Sequence, residues 1–71
     1  MQYEVNEMII EVEGHSLMTF GITHPEVSLY DISVDRQAVA VLVGILNAIN
    51  LAPDLLQAFV ELCLEKAAYL F

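Results

Sequence analysis

The sequence predicts an α+β fold: a small antiparallel three-stranded meander followed by two packed α-helices, ββ(β)αα. Three observations carry this. Apolar and polar residues alternate through much of the chain up to Ile32. The apolar period then changes from two to 3.6. The turns between the alternating stretches are also too short for anything but antiparallel neighbours.

The first strand is expected over about residues 3–12. Tyr3 and Val5 share one phase, and Met8, Ile10 and Val12 share the other. The phase slips at Asn6-Glu7, which predicts a bulge or strand boundary there. Glu13-Gly14-His15-Ser16 supplies turn chemistry. A second strand follows over about 17–22, with Met18, Phe20 and Ile22 on one face. Thr23-His24-Pro25-Glu26 is a second turn, because Pro25 pushes His24 out of the helical region. Residues 27–32 are β-branched or aromatic enough for a third strand. Ser33 and Asp35 are both suitable N-caps for a helix over about 35–49. Pro53, at a first helical position, then opens a second helix over about 53–70. Asp54 in its first turn suits the positive end of the helix dipole. No repeat or linker divides the chain, so a single domain over 1–71 is expected.

Size and charge narrow the function classes. A chain of 71 residues buries only about 60% of its unfolded surface, so a lone core is marginal. Cys63 is the only cysteine, which excludes an intramolecular disulfide and favours a reducing compartment. The N-terminus carries Glu4, Glu7, Glu11 and Glu13 and lacks the pattern of a signal peptide, so it is read as mature from Met1. Ten acids face two basic residues, for a net charge of −8. Seven of those acids lie in residues 1–35, which hold no Lys or Arg. A nucleic-acid backbone needs a basic surface that this chain lacks, and anionic membrane surfaces are disfavoured for the same reason. Val39–Ile49 is an apolar run of 11 residues, about 16 Å of helix against a ~30 Å hydrocarbon core, so no membrane span is expected.

No catalytic, cofactor-binding or metal-binding motif emerges. His15 and His24 sit at separate turns and are expected to be exposed rather than to converge on a metal. Cys63 lies on an apolar helical stripe between Val60 and Ala67, the setting of a buried structural thiol rather than a nucleophile. Gly14, Gly21 and Gly44 are isolated and form no phosphate loop. Carboxylates such as Glu11 and Glu13 read as a solvated sheet edge. No enzyme and no cofactor is expected.

The helices are apolar on more than one side. Val39, Leu42, Val43, Leu46 and Ile49 form the stripe expected to cover the sheet, and Arg36, Gln37, Ala40, Gly44 and Asn47 form a polar or small strip. In the second helix the inner stripe is Leu56, Phe59, Val60, Cys63, Leu64 and Ala67. What remains is Ala38, Val41, Ile45, Ala48, Leu55, Leu62 and Tyr69, apolar positions that a monomer leaves exposed. Such a surplus marks an interface.

The stretch DISVDRQAVAVLVGILNAINLAPDLLQAFVELCL resembles the C-terminal part of a family of short, uncharacterised proteins from clostridia and related Firmicutes, a domain of unknown function. The matching positions are Asp31, Ile32, Ser33, Asp35, Val39, Leu42, Val43, Asn47, Leu51, Pro53, Leu56, Val60 and Leu64. Phe20-Gly21-Ile22 is similar to that family's aromatic-Gly-Ile strand. The resemblance covers roughly residues 20–64 and implies a fold and a bacterial cytoplasmic setting, with no mechanism. Two departures stand out. Ala52 replaces the usual Ser before Pro53, removing an N-cap unless Asn50 compensates. Ala38, Ala40, Val41, Gly44 and Ala48 replace the charged outer face of the first helix.

The expectation is therefore a small acidic, non-enzymatic interaction module. It self-associates, as a dimer first, or binds a partner chain through apolar helix faces. The alternative is an acidic decoy or inhibitor that offers the N-terminal acids to a basic, nucleic-acid-binding protein.

Overall fold

The computed structural model describes the backbone over residues 2–70 and the side chains over 2–64. The chain forms a three-stranded antiparallel sheet followed by two helices. The strands are β1 (Glu4–Val12), β2 (His15–Thr23) and β3 (Ser28–Ser33), in the order β1-β2-β3. The helices are α1 (Arg36–Ile49) and α2 (Leu56–Leu70), the latter entered through a 3₁₀ turn at Pro53–Leu55.

Short-range chemistry accounts for the joints. Val12 pairs with His15, so the first hairpin turns on Glu13 and Gly14 alone. Both have positive φ, 51° and 80°, as a type I′ turn requires. His24 and Val27 close the second turn with reciprocal backbone hydrogen bonds of 2.9 and 3.3 Å. Ser33 and Asp35 divide the capping of α1. The Asp35 carboxylate accepts from the backbone N–H groups of Gln37 and Ala38, and Ser33 Oγ accepts from the N–H of Asp35. Asn50 ends α1 in the left-handed region, where its N–H reaches back to the carbonyls of Asn47 and Leu46. It is thus a C-cap and does not replace the N-cap lost at Ala52, whose side chain makes no capping bond.

β1 is not bulged at Asn6-Glu7. The register runs unbroken from Glu4↔Thr23 to Val12↔His15. Tyr3, Val5, Glu7, Ile9 and Glu11 therefore share the face toward the helices. Met8, Ile10 and Val12 lie on the opposite face, with Leu17 and Thr19. The irregularity sits instead between β2 and β3. Phe20 pairs with Ser33 and Ile22 with Leu29, so β3 carries two extra residues, and Asp31 there has φ 55°. Gly21 lies under that bulge. A Cβ on it would come 2.9 Å from Tyr30 Cα and 2.7 Å from Asn6 Oδ1, and would also collide with the Leu29 carbonyl. Asn6, opposite Gly21, donates to Thr23 Oγ1 (2.9 Å) and to the Leu29 carbonyl (3.3 Å), tying β3 down across the glycine.

The core lies between the sheet and the helices. Tyr3, Phe20 and Ile22 come from the strand side, Val39, Val43 and Leu46 from α1, and Leu56 and Val60 from the first turns of α2. Three expected inner residues differ. Ile49 and Leu64 are about half exposed, and Cys63 is only partly buried. Leu64 and Cys63 line an open groove with α1 and the end of β3 instead of joining the core.

Asn47 and Tyr3 lock the sheet to α1. Asn47 Nδ2 donates to the Tyr3 carbonyl and the Tyr3 N–H donates to Asn47 Oδ1, both at 3.0 Å. The side-chain amide thus imitates one rung of a β-ladder. The Tyr3 hydroxyl donates to the Leu51 carbonyl at 2.7 Å.

Candidate interaction surface

Ala38, Val41 and Ile45 recur at helical spacing on one side of α1. With Leu42 they form one wall of an open groove of about 390 Å³. Cys63 and Leu64 of α2 form the other wall, and Ile32 and Ser33 of β3 close its end. Val41 is 55% exposed and Ile45 45%, so the groove opens on apolar side chains that the fold leaves in water. Covering what remains exposed of each such side chain is favourable by roughly 1 kcal/mol, about half of the value for full burial.

The other expected interface residues fall elsewhere. Ala48 is exposed one turn beyond Ile45 on the same side of α1. Leu55 and Leu62 are exposed too. At about 100° per residue, however, Leu62 lies about 160° around α2 from Leu64, away from the groove. Tyr69 lies outside the described side chains. The structure thus joins Ala38, Val41 and Ile45 into one surface with Cys63 and Leu64, and separates Leu55 and Leu62 from it. Leu64 keeps the helical period of Leu56 and Val60, which predicts a core position; period alone does not show that its neighbours leave an open groove.

The polar groups give little material for chemistry. Among the described residues no group of three His, Cys, Asp or Glu side chains is placed to hold a metal ion. His15 is exposed at the hairpin end. His24, expected to be exposed, is buried at 7%. Its ring lies 4.7 Å from that of Tyr3, and its Nδ1 accepts from the Glu26 N–H at 3.0 Å, so the ring and Nδ1 serve the structure. Burial raises the pKa of the Tyr3 phenol above its ordinary value, and the nearby carboxylates of Asp54 and Glu26 push it the same way. A second groove, of about 370 Å³, is lined by Glu26, Val27, Pro53, Asp54 and Gln57. Its acids, Asp54 and Glu26, add to the effect of burial on the phenol.

The seven acids of residues 1–35 do not gather on one face. Glu7 and Glu11 lie on the helix side of the sheet, Glu4 on the opposite side and Glu13 at the hairpin tip. Among the described residues no helix is long and apolar enough to cross a membrane. Compared with known protein families, curated proteins and solved structures, the chain finds no match in any of the three.

Proposed function

We propose that this protein is a non-enzymatic interaction module of the bacterial cytoplasm that associates with another polypeptide through the groove between α1 and α2. The carrying observation is the run of exposed apolar side chains at Val41, Ile45 and Leu64 around a concave opening. A small acidic chain that keeps such a surface in water gains by covering it. A second copy of the chain is the first partner to test, and a different apolar partner chain uses the same surface. The resemblance to the clostridial family supports the setting and adds no activity.

The experiment is light scattering at micromolar concentration, on the wild type and on Ile45→Glu. A larger average mass for the wild type than for Ile45→Glu at the same concentration, with the circular dichroism spectrum unchanged, is the expected result. A hetero-partner is recognised by stoichiometric co-purification from the host that Ile45→Glu abolishes. A protein that is monomeric and purifies alone sinks the reading. The acidic-decoy alternative has less support, since Glu4, Glu7, Glu11 and Glu13 divide among both faces and the tip.

A further inference from the structure

We propose that the free edge of β1 pairs with β1 of a second copy, antiparallel, about a two-fold axis at Met8. This surface is separate from the groove, and the two can be tested apart.

Among the described residues, the strand order leaves one long edge of β1 without a neighbouring strand over its nine residues, Glu4–Val12. An unpaired row of backbone donors and acceptors is a template for another strand, and proteins block it with Pro, charged side chains (Lys above all), bulges or a covering segment. β1 has no Pro, no Lys and no bulge. Glu4, Glu7 and Glu11 are its only charges, and they decide the register.

A two-fold through Met8 sets Glu4 against Val12, Val5 against Glu11, Asn6 against Ile10 and Glu7 against Ile9. Every Glu meets an apolar residue. Moving the axis one residue sets Glu7 against Glu11 on one side, or Glu7 against Glu7 on the other, and directly opposed like charges destabilise a sheet. The charges of β1 thus permit its full length to pair with itself in the Met8 register and oppose the adjacent ones.

The third dimension agrees. Asn47 holds Tyr3, and Arg36 Nε lies 4.0 Å from Glu7 Oε1, so the Arg36–Asn47 side of α1 runs above β1 from Glu7 back to Tyr3. Beyond Glu7 the hairpin overhangs α1, which leaves Ile9 65% and Met18 46% exposed on the helix-side face. In the paired sheet the overhang of one copy lies beside the covered half of the other. Ile9 and Met18 then meet the small side of α1 at Ala40 and Gly44, where a Cβ on Gly44 has nothing within 4 Å. Arg36 comes beside the second copy's Ile9 and Glu11, and adds a cation where carboxylates approach diagonally. Both α1/α2 grooves remain on the outside of such a dimer.

The test uses the full chain with Cys63→Ser, so that introduced thiols are the only ones. Met8→Cys places two thiols across the axis, within disulfide reach for directly opposed strand residues. Glu4→Cys places them about 26 Å apart, by the rise of a strand. Mild oxidation is expected to link Met8→Cys into a covalent dimer and to leave Glu4→Cys unlinked. Charge gives a second readout: Val12→Lys, facing the second copy's Glu4, tightens dimerisation about fivefold, and Val12→Glu weakens it by a similar factor. Equal cross-linking of the two cysteine variants, or a dimer indifferent to the charge at position 12, overturns the proposal. Persistence of the Met8→Cys cross-link in Ile45→Glu shows that β1 pairs without the groove. A dimer lost in Ile45→Glu and never linked through Met8→Cys overturns the β1 pairing and leaves the groove reading standing.

Discussion

Asn47 and Tyr3 stand 44 residues apart and share two hydrogen bonds, which makes them the clasp between the first strand and the first helix. Nothing in a helical wheel marks Asn47 for this; it looks like one more polar position on the small strip. Removing its amide leaves a part-buried backbone N–H and C=O without partners, so Asn47→Ala is expected to cost about 2–4 kcal/mol in denaturant melts. Tyr3→Phe keeps the ring against His24 and loses only the bond to Leu51, about 0.5–1.5 kcal/mol. It should also change the alkaline limb of stability. The folded phenol has its pKa raised, so its contribution is complete below the unfolded value of about 10 and is lost as pH rises through the folded one. Wild-type melting temperature should therefore fall above that pH, and that of Tyr3→Phe should fall less. The phases of Tyr3/Val5 and of Met8/Ile10/Val12 were legible in the sequence. The bulge inferred between them was not real. Glu7 breaks the apolar pattern because α1 begins above it and pairs it with Arg36, so the cover changes while the register does not.

At the scale of elements, the strands and α1 fall within two residues of where alternation and the caps place them, and α2 begins three residues after Pro53, behind a 3₁₀ turn. Capping residues act over three or four positions, so sequence alone suffices for them. Ser33 and Asp35 were alternatives in the sequence and act together in the structure. At Ala52 the missing cap is an opportunity. Ala52→Ser is expected to stabilise by about 0.5–1 kcal/mol, seen as a higher melting temperature. Gly21 shows what short-range reading misses. Its reason is the β3 backbone crossing over it, a contact between strands that no spacing reveals. Gly21→Ala should unfold the chain or force β3 off the sheet, visible as loss of amide protection in residues 28–33 by hydrogen exchange. His24 teaches the same lesson: its place after Thr23 and before Pro25 announces a turn, and its burial depends on a tyrosine 21 positions away.

The whole molecule is a small sheet with both helices on one face, a core between them and more apolar surface than that core consumes. Helical periodicity identified Ala38, Val41 and Ile45 as outside the core, and the structure places them together along a groove. Periodicity did not separate Leu55 and Leu62 from them, because it describes one helix at a time and the groove is made by two. Charge works at this scale as well. A net charge of −8 keeps copies apart at low ionic strength, so added salt should strengthen self-association. Capture of a basic partner by the acidic half would instead weaken as salt rises. The central claim is that the chain covers its apolar surface with a second chain, and sedimentation velocity over a micromolar concentration series tests it most directly. The account predicts a reversible, concentration-dependent shift to twice the monomer mass or more; a single species of monomer mass throughout the series contradicts it.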